Sequence, residues 1–309
     1  MDRRQTQARL LIPVALLLLT AASQRGQLPI RESRWLQTPD LVDDLTRQPV
    51  ECLAWPEGVR ARESVAIGRA LFRSPLLLGG QAARAGLSCS SCHRNGRTNP
   101  HFHFPGISGE PGTADVTASL MSEKRGDGIF NPKPIPDLSG EPMKLKVKGT
   151  PKLRGFIHGL IVEEFSGPEP SRSELDSVVA YVNALSPGAC RGTTAPITLG
   201  SKLADVDSAL ALAASAYASG DEATGRDLLS AARSTLGAID ERFQLPGLEK
   251  SRQQLRDASA ELFGLQQSRS PALWAKWSRD WPLQKRALRS AERRSLYNPA
   301  VLRKLLGRS

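Results

Sequence analysis

The chain has 309 residues and a formal charge of +11, enough length for two modest domains once a leader is removed. The charge is uneven: residues 1–249 hold 28 Lys and Arg against 27 Asp and Glu, whereas residues 250–309 hold 14 against 4. So local an excess calls for an acidic partner or an anionic surface, and the export signal at the N-terminus disfavours nucleic acid in that role.

Arg3, Arg4 and Arg9 precede an apolar run from Leu10 to Leu19 and the small residues Thr20-Ala21-Ala22-Ser23. That is the layout of a secretory signal peptide over residues 1–23, cleaved near Ala22 or Ser23. The run is too short to span a bilayer comfortably, which leaves an uncleaved N-terminal membrane anchor as the lesser alternative. Arg3-Arg4 starts like a twin-arginine signal, but the residues that should follow it are missing. The expected destination is the periplasm. Residues 24–59 read as an irregular arm, with Trp35 and Trp55 packing it onto the adjoining domain.

An amphipathic helix is expected from Arg60 to Arg73, carrying Val65, Ile67, Ala70, Leu71 and Phe72, and ended by Pro75 and Gly79-Gly80. Next comes Cys89-Ser-Ser-Cys92-His93. A C-x-x-C-H run is the attachment signature of c-type haem: Cys89 and Cys92 add across the vinyl groups, and His93 becomes the proximal iron ligand. A thioredoxin-like motif would need a βαβ pattern around it. A zinc site would need a second pair at ligand spacing, and Cys52 and Cys190 are distant and single. Those two are either a disulfide, which an oxidising compartment preserves, or two unrelated buried thiols.

About fifty residues rich in Gly and Pro follow, with Pro132, Pro134, Pro136 and Pro142 close together. Such punctuation forbids long regular elements. The expectation is an ordered loop with little apolar core of its own, wrapped on a large flat group. Helices are expected from Lys152 to Glu164 and from Ser171 to Ser186, the second with Ser173 as N-cap and Pro187-Gly188 as terminator.

The sixth iron ligand has several candidates. Met143, in Gly140-Glu-Pro-Met-Lys, is preferred because a Pro beside a Met on a loop suits a fixed ligand. His101 and His103 compete, as does Met121, although Asp115 to Met121 reads as a helix whose Met fills core. An open position is the remaining possibility. His158 reads as a packed helical histidine, and Glu163-Glu164, a possible acid/base pair, as solvated.

The order of entry helix, haem motif, loop and closing helix resembles class I cytochrome c, a family whose first and last helices cross. Gly68 and Phe72 on one helix, with Val178 and Tyr181 on the other, have the spacing to share faces and meet. More narrowly, Gly68-Arg-Ala-Leu-Phe72, Leu87-Ser-Cys-Ser-Ser-Cys-His93 and Gly149-Thr-Pro-Lys-Leu-Arg154 resemble one haem domain of the bacterial di-haem cytochrome c peroxidase family. The likeness covers about residues 60–190, and this chain has one C-x-x-C-H where that family has two. The cytochrome resemblance implies that Cys52, before the first helix, and Cys190, after the last, come close enough for a disulfide.

After a linker at Gly192-Thr-Thr-Ala-Pro196 the pattern is helical: Leu203, Val206, Leu210, Ala213 and Tyr217 form one stripe. Two more helices are expected over Ala223 to Arg242 and Leu248 to Gln267, making residues 198–309 an antiparallel bundle. Trp274, Trp277 and Trp281 then share a face; they are either core or a docking surface for a redox partner or anionic membrane. The expected architecture is all-α, with a mono-haem cytochrome c-like domain over 60–191 followed by the bundle. The expected function is one-electron transfer with an acidic periplasmic redox protein. The alternatives are a peroxide-reducing haem enzyme and a haem-based gas sensor or structural module.

Overall fold

A computed structural model describes residues 28–124, 126–140 and 151–307. The signal-peptide residues, Met143 and the Gly149-Thr150 pair lie outside the described residues. Most of the rest is helical. No helix among the described residues is long and apolar enough to cross a membrane.

The arm is more ordered than its sequence suggests. A 3-10 turn at Arg31–Trp35 leads to helix α1, Leu41–Thr46, capped by the Asp40 side chain, which accepts from the Asp43 N–H. Strand β1, Arg47–Pro49, follows. Leu28, Ile30, Leu36 and Leu45 are buried with Leu296 and Leu302 from the far end of the chain. Those partners are so remote in sequence that no local periodicity could announce them. Trp35 is buried, but Trp55 is 49% exposed and does not pin the arm.

Helix α2, Val59–Phe72, is followed by three short helices: α3, Pro75–Leu78; α4, Gly80–Ala85; and α5, Cys89–Cys92. Strands β2, His93–Arg94, and β3, Arg97–Thr98, pair antiparallel about Asn95-Gly96. Both turn residues have positive φ, 52° and 75°, as a two-residue Asn-Gly hairpin requires. The loop-rich stretch contains strands β4, Thr113–Ala114, and β5, Lys133–Pro134, which pair with each other. It also has a core, contrary to expectation: Phe102, Ile107, Met121, Ile135 and Leu138 are buried. Met121 does fill core, but from a turn rather than a helix.

Helix α6, Pro151–Gly159, runs into a π-helical turn at Leu160–Glu164. Helix α7, Arg172–Ala184, is capped by Ser171, not Ser173. The Ser171 hydroxyl accepts from the Glu174 N–H and the Glu174 carboxylate from the Ser171 N–H, a reciprocal box that Ser173 could not close. Helices α2 and α7 cross at the expected residues: the Phe72 and Tyr181 rings are 5.0 Å apart and Val178 is buried. Gly68 lies directly against the Ser177 carbonyl.

The flanks of that crossing run side by side. The Ser186 N–H donates to the Cys52 carbonyl and the Ala54 N–H to the Ala184 carbonyl, both at 2.8 Å. Cys52 and Cys190 form a disulfide with Cα atoms 4.3 Å apart, 138 residues apart in sequence. Strand β6, Thr194–Pro196, pairs with β1 just beyond it. A disulfide closing so long a loop removes substantial chain entropy from the unfolded state. Cys52→Ala with Cys190→Ala should therefore cost about 4 kcal/mol, read as a lower urea midpoint, and a loss under about 1 kcal/mol would show that the bridge adds nothing to the helix contacts.

The bundle comprises α8, Leu199–Ala218; α9, Glu222–Arg242; α10, Glu249–Ser268; and α11, Pro271–Ala291, while α12, Pro299–Leu306, packs on the arm. The bundle core takes the expected stripes, including Leu203, Val206, Leu210, Leu228, Leu236 and Leu262. Trp277 and Trp281 belong to it, each 4% exposed and stacked at 5.0 Å, and Trp281 Nε1 donates to Asp207. The tryptophan stripe is core and offers no docking surface. Ile67 and Ala70 of α2 pack against this bundle core, while Val65, Leu71 and Phe72 of the same helix face the other one.

One contact at this junction titrates. Asp227 of α9 is pushed up to about 7, first by burial and then by the negative charge of the Glu174 carboxyl of α7. A carboxyl whose folded pKa exceeds its unfolded one stabilises at low pH, and that stability is lost as pH rises through about 7. Asp227→Asn should flatten this fall and raise Tm at about pH 8 by about 3 °C. Parallel melting curves for the two proteins from about pH 5 to about pH 8 would remove Asp227 from the account.

Candidate functional site

Ser88 opens α5 by accepting from the Ser91 N–H, while the Ser91 hydroxyl accepts from the Ser88 N–H. This one-turn helix puts Cys89 and Cys92, three apart, on one side of the chain. The two thiols are not joined to each other, and both pack half-buried against the core of Leu71, Phe72 and their neighbours. Burial pushes both thiols up to about 12, with the Cys89–Cys92 proximity adding to it at Cys92. They are therefore neutral thiols, unlike the low-pKa thiolates of redox catalysts.

His93 ends α5 and begins β2. Its Nδ1 lies 3.0 Å from the Pro136 carbonyl oxygen. A carbonyl can only accept, so the proton sits on Nδ1 and Nε2 keeps its lone pair. Burial drives the imidazole down to about 4, against the opposing pull of the Pro136 carbonyl and the Asp137 charge, so it is neutral near pH 7. The carbonyl is itself held in place. Asp137 accepts from the Ser139 N–H and hydroxyl and from Arg97 Nε, and the Leu138 N–H donates to the Gly96 carbonyl. Burial opposes the ionisation of Asp137, but these donors hold its pKa below the usual carboxylate range.

The hairpin behind His93 is anchored by charge. Asn95 Oδ1 accepts from Arg73 at 2.7 Å and its Nδ2 donates to the Pro49 carbonyl. Arg73 and Arg69 together hold Glu51 and Asp205 at 2.7–3.1 Å, and the Tyr181 hydroxyl donates to Glu51. Burial works against both carboxylates, yet the two arginines keep them ionised and below their usual range. Arm, α2, α7, bundle and the His93 hairpin thus meet in one network. Arg94, 6% exposed, ties the same segment to Glu32 and Asp44. Sequence reading misses all of this; the Asn95-Gly96 dipeptide alone carries a legible signal, that of a two-residue hairpin.

The other candidate ligands are dispersed. His101 Nδ1 lies 2.7 Å from Asp44 Oδ2. His103 is held through its backbone, which donates to the Trp35 carbonyl. His158 Nε2 lies 2.8 Å from Glu169, a partly exposed pairing rather than a packed core position. Glu164 is 6% exposed, so this member of the glutamate pair is buried and not solvated. Cys52 and Cys190 are spent in a disulfide, and no cluster of three or more His, Cys, Asp or Glu among the described residues is placed to hold a metal ion. Two unpaired thiols on one turn, followed by a neutral imidazole with a free Nε2, do fit covalent haem. No family model matches the chain, and no curated protein or solved structure matches it either.

Proposed function

We propose that the chain is an exported mono-haem c-type cytochrome that carries single electrons, with residues 60–191 as a cytochrome c-like domain. The observation that carries this reading is the His93 Nδ1 contact with Pro136, beside the free thiols of Cys89 and Cys92. A haem bound there would supply a one-electron iron couple. The protein's own part is to position and tune. Pro136 holds the imidazole proton and so orients Nε2, and the carboxylate next to it, anchored by Arg97 and Ser139, makes that nitrogen a stronger donor. Phe72, with its ring 6.5 Å from His93, is part of the apolar wall on this side. Met143 is proposed as the sixth ligand on the strength of its Pro-Met loop sequence, with His101 and His103 as the alternatives, whereas Met121 is enclosed in core.

The disulfide supports an oxidising, periplasmic destination. The proposed partner is an acidic redox protein, met by exposed cations of the C-terminal region such as Arg279, Arg286, Arg289, Arg303 and Lys304. The deciding experiment is the absorption spectrum of the purified protein, oxidised and reduced, with and without carbon monoxide. The expected result is a covalent haem whose reduced spectrum ignores carbon monoxide and which does not consume peroxide. A carbon monoxide-sensitive iron that turns over peroxide would make the protein an enzyme, the same sensitivity without turnover would make it a gas-binding module, and absence of haem would reject the whole reading.

A further inference from the structure

A cavity of about 620 Å³ lies between the outer side of the Cys89–Cys92 turn and helices α8 and α9. That volume suits a small-molecule ligand. Its lining holds seven cationic side chains against three carboxylates. Four of the cations, Arg31, Arg69, Arg73 and Arg94, are bound to carboxylates, and these acids, Glu241, Asp205 and Glu32 among them, are thereby engaged.

The other three cations make no salt bridge among the described residues. Arg242, 5% exposed, donates only to the Leu45 and Leu296 carbonyls and lies over the Tyr297 ring. Arg233 donates to Gln266 and lies over Phe263, and its Nε is buried without a partner. Lys202 projects from α8 with no hydrogen bond or ion pair to its ammonium from any described residue. Burial lowers its pKa, although Asp205 opposes the shift. Seven positive charges against three negative ones in a partly desolvated wall are unfavourable, and a bound anion lowers that cost.

We infer that this cavity binds a small organic anion whose carboxylate or phosphate oxygens sit against the Lys202 ammonium. Neither Cys89 nor Cys92 lines the site, and the inference stands whether or not the chain carries haem. Inorganic phosphate and succinate serve as probes, each titrated calorimetrically into the purified full chain at an ionic strength fixed with sodium chloride. At least one should bind saturably with a Kd below about 1 mM, and the stronger of the two reports whether phosphate or carboxylate is preferred. Lys202→Gln should weaken that binding about tenfold or more, whereas Arg172→Gln, on the exposed first turn of α7 and outside the cavity lining, should leave it unchanged. A second reading needs no variant: the preferred anion should raise the wild-type Tm above that in sodium chloride at equal ionic strength. Non-saturable heats, equal affinity in Lys202→Gln and wild type, or no rise in Tm beyond the chloride control would each overturn the assignment.

Discussion

Cys89→Ala combined with Cys92→Ala should yield a protein with no covalent haem and with most of its helical content intact. Loss of haem follows from the proposed thioether chemistry: with neither thiol present, no bond remains that survives denaturation. Retention of structure follows from the packing. The segment after His93 contributes Phe102, Ile107, Met121, Ile135 and Leu138 to a core shared with α2 and α7, and the disulfide and the Arg69, Arg73, Glu51 and Asp205 network lie outside the motif. Haem staining after denaturing electrophoresis measures the first effect and far-ultraviolet circular dichroism the second. A stained band from the double variant would reject Cys89 and Cys92 as the attachment points. A collapse of the helical signal would show that the apolar residues of the loop do not hold without the bound group.

Gly68→Ala should destabilise the protein by about 3 kcal/mol, although alanine is the better helix former. A Cβ at residue 68 falls on the Ser177 carbonyl oxygen and lies 2.9 Å from Tyr181 Cβ. Both neighbours belong to the body of α7, so relief requires the two helices to separate. Separation also opens the contact between Phe72 and Tyr181 and strains the Tyr181 hydroxyl bond to Glu51. Gly237, in the middle of α9, has nothing within 4 Å of its own Cβ position. Gly237→Ala should therefore stabilise by about 0.5–1 kcal/mol through helix propensity alone. Urea unfolding of the two variants separates the effects, since propensity is common to both and the close approach is particular to Gly68. If Gly68→Ala raises the midpoint as Gly237→Ala does, the tight crossing of α2 and α7 is refuted.

Those residues whose role is local are readable without a fold. The Cys89-Ser-Ser-Cys92-His93 run carries the proposed haem-attachment signature in five contiguous residues. The apolar stripes of α2, α7, α8, α9 and α10 state the buried face of each helix, because a period of about 3.6 residues leaves its mark within every turn. Gly68 with Phe72 and Val178 with Tyr181 are picked out as matching faces by the resemblance to class I cytochrome c, with spacing that lets each pair share a face. Even the tryptophans of α11 are visible as a stripe, although only burial of Trp277 and Trp281 decides between core and surface.

Tertiary structure decided whatever depends on partners distant in sequence. The Pro136 carbonyl, 43 residues after His93, selects the imidazole tautomer. Asp205, far beyond the closing helix, helps hold Arg73, which in turn holds Asn95. The arm's leucines find Leu296 and Leu302, Glu164 turns inward, and Lys202 lines a cavity. A buried polar or charged group is set by the hydrogen bonds and charges around it, and those come from whichever segments the chain folds together. Nothing in the residue's immediate neighbours records them, so a sequence displays the periodic and the contiguous while polar partners across the fold stay hidden until the helices are packed.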